Sequence, residues 1–334
     1  MEKRNELLDV MRGIAIILVV LGHAGVCNFW RIWIYAFHMP LFFLISGYFC
    51  SDKKNFERFV FGKVKTLYVP FVFYYVLFIS FSHFLHPYGL TQFDYLNLRE
   101  CLRAVLLAVR FRVGAMDLLG HFWFLPVLFF ISVLFYLLLK GIHYFSLRKE
   151  MVIIGGGIFT ILSIVAKWQS FPNPYDVLRV CYYMGFYALG WYVAQNDFFS
   201  IRMPKYGLVV SFVILVLFAC SSKSIQCNPL IEIIVAIVGI IFVWGFCQEA
   251  IRTKKNISLL SYIGKRTMSI YVWHVFCFKC LELLLFHLGL ITHMTIGWHG
   301  SYPVHSFGWV LLFALVGVLL PIELCNIKNK IIGK

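Results

Sequence analysis

The sequence predicts an all-α polytopic membrane protein with about ten transmembrane helices. Of its 334 residues, 61% are hydrophobic and only 13% are charged, and the mean hydropathy is +0.83, far from the composition of soluble globular domains. Apolar stretches of spanning length recur along the whole chain, and Lys and Arg concentrate in alternate loops. Since no repeat or linker divides the chain, residues 1–334 are expected to form a single transmembrane domain.

Ten stretches have the length and apolar composition of membrane spans. They centre on residues 11–28, 32–49, 67–86, 121–139, 150–167, 177–194, 206–221, 229–248, 262–286 and 305–325. About two thirds of the 30 Lys and Arg residues fall in segments that lie inside if the N-terminus is cytoplasmic. The chain is therefore expected to be a multi-pass protein of the cell membrane with both termini cytoplasmic. The charges before the first span argue against a cleaved signal peptide.

The net charge of +15 has a simple explanation in such a protein. Basic loops orient the helices and attract anionic lipid, so membrane lipid is the expected partner. The charge gives no reason to propose nucleic acid binding.

The first span carries two polar side chains, Arg12 and His23, in an otherwise apolar run. Eleven residues make roughly three helical turns, so both side chains project from one face, about 16 Å apart along the axis. Polar side chains at depth in a membrane usually face a cavity or a partner. This face is therefore the first candidate for a functional site.

The second span supplies another histidine, His38, at nearly the same expected depth as His23 in the outer half of the membrane. Pro40 cannot donate a hydrogen bond to Ala36 and is expected to bend or open the helix there. Near the end of this span, Ser46 and Gly47 would let a neighbouring helix approach closely.

Four cations near the predicted inner surface form a second candidate group: Lys63, Lys65, Lys265 and Arg266. They fit the ordinary excess of positive charge inside. They equally fit an anion site for the phosphates of a cytosolic cofactor, which needs several cations converging from different loops.

The outer stretch between the third and fourth spans is an exception to the charge rule because it contains four arginines. Arg99, Arg103 and Arg110 fall on one side of a helix whose other side is apolar. This pattern is typical of an interfacial helix and also suits a lid or acceptor clamp over an outer cavity. Just beyond it, His121 and Trp123 open the fourth span, where Trp123 also suits an interface anchor.

The later spans add further polar groups. The sixth span has an aromatic face that suits either core packing or a sugar-binding cavity, formed by Tyr182, Tyr183, Tyr187, Trp191 and Tyr192. Glu232 in the eighth span has no evident local partner, which makes it a candidate for acid/base or hydroxyl-orienting work. Lys279 and Glu282 in the ninth span are three residues apart and are expected to neutralise each other.

His274 lies near the middle of the ninth span. Beyond it, histidines recur every six residues, but this spacing fits neither helix nor strand ligand geometry, so no metal site is expected. The recurring residues are His287, His293, His299 and His305.

Five segments together resemble the membrane-bound acyltransferase-3 family, and most closely its fucose 4-O-acetylase-like branch. They are LDVMRGIAIILVVLGH around Arg12 and His23, FHMPLFFLISGYF, KVKTLYVP, HFWFLPVLF and SIYVWH. The resemblance implies an integral-membrane O-acyltransferase that moves an acyl group, usually acetyl, from cytosolic acyl-CoA to a hydroxyl of a cell-surface or lipid-linked glycan. It further implies ten core helices, an inner entrance for acyl-CoA and an outer entrance for the acceptor.

In this interpretation, Arg12 and the basic loops, with Lys63, Lys65, Lys265 and Arg266, bind acetyl-CoA, and the pantetheine arm reaches inward to His23. His23 acts as general base or first accepts the acyl group itself, and both routes stay open. His38 orients the acceptor or stabilises the developing oxyanion. Glu232 is the third candidate for a catalytic residue. The candidates for contact with the polysaccharide or lipid-linked acceptor are Trp123, His121, Arg103 and His274.

Two other functions fit the same spans. An exporter of glycan or lipid-linked sugar would also use ten spans and an aromatic cavity, although no inverted repeat favours it. A nonenzymatic scaffold for glycan assembly is a third interpretation.

Overall fold

The computed structural model of the chain is helical throughout the part it describes. It describes residues 6–51, 53, 55–89, 91, 97–112, 117–173, 176–253, 257–291 and 307–332. Within these ranges every regular element is an α-, 3₁₀- or π-helix, which confirms the all-α prediction.

Fifteen α-helices make up most of the described structure. They are α1 (Glu6–His23), α2 (Asn28–Tyr35), α3 (His38–Tyr48), α4 (Phe56–Lys63), α5 (Val69–Leu85), α6 (Leu98–Val109), α7 (Phe124–Tyr144), α8 (Met151–Trp168), α9 (Val177–Gln195), α10 (Lys205–Ala219), α11 (Lys223–Gln226), α12 (Pro229–Thr253), α13 (Ile257–Lys265), α14 (Thr267–His287) and α15 (Phe307–Ile332).

Each of the ten predicted spans coincides with one or more of these helices. Within the described ranges, seven helical stretches are long and apolar enough to cross a membrane, judged by length and composition. They are Asn28–Tyr48, Phe56–Ser82, Leu118–Tyr144, Met151–Trp168, Pro229–Thr253, Thr267–His287 and Gly308–Ile327. The chain is therefore a multi-pass membrane protein, while ten crossings and cytoplasmic termini stay predictions.

The second predicted span is broken in its middle, as Pro40 suggested. α2 ends at Tyr35 and α3 begins at His38. Between them Phe37 leaves helical geometry, with φ −140° and ψ −14°. Pro40 falls in the first turn of α3, where its missing N–H costs nothing because that N–H has no partner inside the helix. The break confirms the predicted opening of the helix and starts α3 at a histidine.

Glycines allow two helix crossings at backbone contact distance. Gly264 of α13 packs against the Asp9 carbonyl of α1, and a Cβ there would overlap it. Gly47 of α3 packs in the same way against the Tyr187 carbonyl of α9, which confirms the close approach predicted at this position. The first crossing matters most for the site, because it holds Lys265 beside α1.

The apolar core forms two clusters that meet at α1. Leu8, Met11 and Ala15 belong to the cluster built with α3, α7, α9 and α12. Ile16 and Val20 belong to the cluster built with α5, α14 and α15. α1 is therefore the central helix, with core side chains around much of its circumference, so its polar positions face the interior of the bundle.

An ion pair is buried within α14. Lys279 Nζ lies 3.1 Å from Glu282 Oε2 within α14, and the two side chains are only 3% and 0% exposed. This contact confirms the predicted pairing of the two charges. A buried charge is costly unless it is paired, and this contact pairs the two charges.

Candidate active site

A cavity of about 530 Å³ runs along one face of α1. This helix lines it with Arg12, Ile16, Val19 and His23, which follow one another at steps of four, three and four residues. That spacing keeps all four side chains in one helical stripe. Arg12 and His23 therefore share one continuous cavity, and its size is in the usual range for a small-molecule site.

Arg12 and Lys265 both line this cavity and carry positive charge. The crossing at Gly264 brings them together, since Lys265 is the next residue of α13. The Arg12 guanidinium lies over the Phe49 ring at 4.4 Å, and its Nη1 atom is 3.7 Å from Oδ1 of the buried Asp9. These contacts hold the guanidinium at the end of the cavity where α1 and α14 begin and α3 ends.

Three histidines from three distant segments meet at the other end. The ring centres of His23 and His274 are 5.2 Å apart and nearly parallel, at 16°. The His121 ring lies 4.8 Å from His274 and 6.2 Å from His23. His23 and His121 line the cavity, whereas His274 is fully buried behind them.

Hydrogen bonds determine which ring nitrogens of this cluster carry hydrogen. His274 Nδ1 lies 3.0 Å from the Ile270 carbonyl oxygen and 2.9 Å from that of Tyr271. A carbonyl only accepts, so this nitrogen carries a hydrogen, and in the neutral form of the ring Nε2 is then an acceptor. His23 Nδ1, 2.9 Å from His274 Nε2, must then donate. We therefore assign His23 the tautomer in which Nε2 is unprotonated and able to take a proton.

His38 lines the same cavity near His23. The Tyr35 ring lies between them, with its centre 6.4 Å from that of His23 and 5.0 Å from that of His38. His38 Nδ1 is 2.9 Å from the Ile34 carbonyl oxygen and therefore donates to it. Its neutral ring offers Nε2 as an acceptor, which suits orientation of a hydroxyl better than stabilisation of an oxyanion.

His121 joins the segment before α7 to α14. Its Nε2 atom lies 2.8 Å from the Tyr271 carbonyl oxygen, and the Tyr271 hydroxyl donates to the His121 carbonyl oxygen at 2.8 Å. This reciprocal pair fixes the wall of the cavity next to His274. Tyr271 also lines the cavity.

Trp123 forms the aromatic side of the cavity. Its ring stacks on Tyr183 at 6.0 Å and 22°, and the Arg179 guanidinium lies 4.7 Å from its centre. Both Trp123 and Tyr183 line the cavity, so a ligand there meets an aromatic surface.

Several predicted site residues do not line this cavity. Arg266 stacks on Tyr262 at 3.5 Å and donates to Asn326 of α15 at 3.2 Å. Lys63 lies over the Phe59 ring at 5.4 Å. The residues outside the cavity lining are Lys63, Lys65, Arg103, Glu232, Arg266 and His274.

Two of these residues lie on other surfaces of the molecule. Arg103 is exposed on α6. Glu232 lines a second cavity. Leu98 and Leu102 of α6 are 71% and 54% exposed, as an interfacial helix requires.

The described residues contain no group of His, Cys, Asp or Glu side chains arranged to hold a metal ion. Of the histidines that recur every six residues, His287 is exposed on α14, and His293, His299 and His305 lie outside the described residues.

Sequence reasoning missed three residues of this site. Tyr35 and Tyr271 each precede a site histidine by three residues, which in a continuous helix indicates a shared face. Asp9, three residues before Arg12, carries the same signal. The contact between His23 and His274 has no such signal, because 251 residues separate them.

Comparison with known proteins gives two matches. The acyltransferase domain family matches residues 5–324. The chain is also 30% identical over 209 residues, 58% of its length, to the nodulation protein NolL of Sinorhizobium fredii (strain NBRC 101917 / NGR234). It spans about half the length of that relative, since the alignment covers 50% of it. No solved structure matches the chain.

Proposed function

Because the chain belongs to the membrane-bound acyltransferase-3 family and is therefore an acyltransferase, we propose that it transfers an acetyl group from cytosolic acetyl-CoA to a hydroxyl of a cell-surface or lipid-linked glycan. The observation that carries this proposal is the cavity shared by Arg12 and His23. A cationic end suits an anionic nucleotide, and a basic imidazole suits a hydroxyl that must lose its proton.

The donor fits the residues present. Arg12 and Lys265 supply two positive charges for phosphate oxygens. Ile16, Val19 and Leu67 line the cavity with apolar surface, which suits the thin pantetheine arm. About 16 Å of helix separates Arg12 from His23, a distance of the order that arm spans. When bound, the donor supplies an acyl group activated as a thioester.

His23 is the proposed general base. Its Nε2 atom accepts the proton of the acceptor hydroxyl while the hydroxyl oxygen attacks the acyl carbon, and it returns that proton to the departing sulfur. His274 holds His23 in the required tautomer and takes part in no bond that forms or breaks. A route in which Nε2 first accepts the acyl group itself uses the same tautomer.

The remaining residues of the histidine end position the acceptor. His38 Nε2 accepts a hydrogen bond from a second hydroxyl, and Trp123 offers its ring to the apolar face of a sugar. For the developing oxyanion the lining offers neutral donors, namely the hydroxyl of Tyr183 and the indole N–H of Trp123. The Tyr35 hydroxyl already donates to the Gly22 carbonyl oxygen, at 3.3 Å.

Purified protein tests this function directly. Wild type in detergent, supplied with acetyl-CoA and oligosaccharides from the host surface glycan, is expected to release CoA in step with a gain of acetyl mass on the glycan. His23→Ala is expected to stop both. His287→Ala is the matched control, because it makes the same change at an exposed histidine of α14 that lines neither cavity.

Release of CoA without glycan acetylation would contradict the proposed acceptor. The same protein in proteoliposomes tests the export alternative, because an exporter would move the glycan across the liposome membrane with no release of CoA.

A further inference from the structure

A second cavity of about 320 Å³ adjoins the first. Tyr35 and Tyr183 line both cavities, so these two side chains belong to the wall between them. Its walls come from α2, the start of α3, α9, the end of α10, α11 and the first turn of α12. It therefore lies beside the histidine end of the main cavity, the end at which we propose that the acceptor is acylated.

The polar groups of this second cavity are balanced in charge. Arg31 offers guanidinium donors, Glu232 offers carboxylate acceptors and Gln226 offers an amide oxygen. The Gln226 amide nitrogen donates to the Ser221 carbonyl oxygen at 2.8 Å, which fixes the side chain and leaves its oxygen as the group available to a ligand. One cation and one anion at the same site favour a neutral ligand with many donors and acceptors. A phosphate would be repelled by Glu232.

Aromatic rings complete the lining. The centres of Tyr182 and Tyr183 are 5.1 Å apart and nearly perpendicular, at 83°, so the two rings present differently oriented faces. Aromatic faces pack against the C–H surface of a sugar ring, while carboxylate, amide and guanidinium groups bond its hydroxyls. Both the aromatic faces and the polar groups of this lining fit a neutral pyranose.

We propose that the second cavity binds a sugar unit of the acceptor glycan adjacent to the unit that is acylated. This inference rests on the proposed function, because it names the part of the acceptor that the enzyme holds without reacting with it. Tyr35 and Tyr183 stand between the two units. Glu232 is then a residue that binds the acceptor, and its separation from the main cavity excludes it from contact with the reacting hydroxyl.

A comparison of one-sugar and two-sugar acceptors tests this inference. Purified wild type, Glu232→Gln and Tyr182→Ala are assayed with acetyl-CoA and methyl glycosides of glucose, galactose, mannose and fucose, each alone and joined to one further glucose. Wild type is expected to favour the best disaccharide over its methyl glycoside by about tenfold in kcat/KM. Each variant is expected to bring that ratio close to one, while kcat/KM for the methyl glycoside and KM for acetyl-CoA stay at wild-type values.

Matched controls repeat the same chemical changes outside both cavities. Glu57→Gln alters an exposed carboxylate of α4, and Tyr206→Ala removes a tyrosine that is 74% exposed on α10. Both are expected to keep the wild-type ratio. A ratio that is unchanged in Glu232→Gln and in Tyr182→Ala, with both proteins folded by thermal unfolding, overturns the second site and leaves the proposed function intact. Acetyl transfer to no glycan at all overturns the proposed function, and the second site with it.

Discussion

The Nδ1 atom of His23 lies 2.9 Å from the Nε2 atom of His274. The backbone carbonyls of Ile270 and Tyr271 fix the tautomer of His274, and His274 in turn fixes that of His23. A helix backbone thus determines which nitrogen of a cavity histidine is basic. In enzymes with a catalytic histidine, an orienting partner commonly fixes the ring in this way, and the partner of His23 is an imidazole where a carboxylate is more usual.

His274 should affect the rate of acyl transfer through His23. His274→Ala removes the acceptor for the His23 N–H and is expected to lower kcat by about 10²-fold or more, given the usual contribution of a positioned base. His274→Gln is expected to recover part of this loss, because its side-chain oxygen reaches the position of Nε2. Steady-state kinetics with acetyl-CoA and glycan measure both. Equal losses in the two folded variants would contradict an orienting role.

Arg12 should bind the phosphates of the donor. Arg12→Ala is expected to raise KM for acetyl-CoA by about 10- to 100-fold, the range for loss of a charge-assisted hydrogen bond. With acetyl-pantetheine, which lacks the nucleotide phosphates, wild type and variant are expected to have the same KM. An increase in KM of equal size for both donors would show that Arg12 does not act on the nucleotide phosphates.

Arg266→Ala is the contrasting variant in this experiment. Its contacts with Tyr262 and Asn326 tie α13 to α15, and it does not line the cavity. We expect it to lower the thermal unfolding temperature and to leave KM for acetyl-CoA unchanged.

The glycine crossing should control the cationic end of the cavity. A Cβ at Gly264 would overlap the Asp9 carbonyl, so Gly264→Ala must push α13 away from α1. We expect a loss of about 1–3 kcal/mol of stability, as for other overpacked positions, together with a higher KM for acetyl-CoA. Thermal unfolding and kinetics measure the two effects.

Gly157→Ala is the matched control for that substitution, because nothing lies within 4 Å of a Cβ at this position of α8. Alanine favours a helix over glycine, so this variant is expected to be at least as stable as wild type. A Gly264→Ala protein that behaves in the same way would show that the crossing tolerates a methyl group.

Local patterns in the sequence were sufficient to predict the helices and those site residues that lie together on one helix. Hydrophobic length predicted the ten helical stretches, Pro40 predicted the break before His38, and the spacing of Arg12 and His23 predicted their common face. These features depend on residues within a few turns of one another, which a periodic pattern records.

Contacts between distant helices lay beyond such reasoning. His274 was predicted to contact the acceptor, yet it is buried behind His23. The sequence predicts a catalytic role for Glu232 beside the histidines, whereas Glu232 lines the second cavity. A pattern within one helix gives the direction of a side chain and leaves its neighbour on another helix undetermined. The histidine cluster is assembled by helix packing that only the three-dimensional structure records.

If a single passage connects Arg12 to His23, a side chain that obstructs this passage must slow acyl transfer. Val19 lines the cavity between them and is 5% exposed. We expect Val19→Phe to lower acetyl transfer from acetyl-CoA by at least about tenfold, since the added ring fills the cavity, while Val19→Ala retains turnover. Wild-type turnover by a folded Val19→Phe protein would contradict the account, because the acyl group would then reach the glycan by another route.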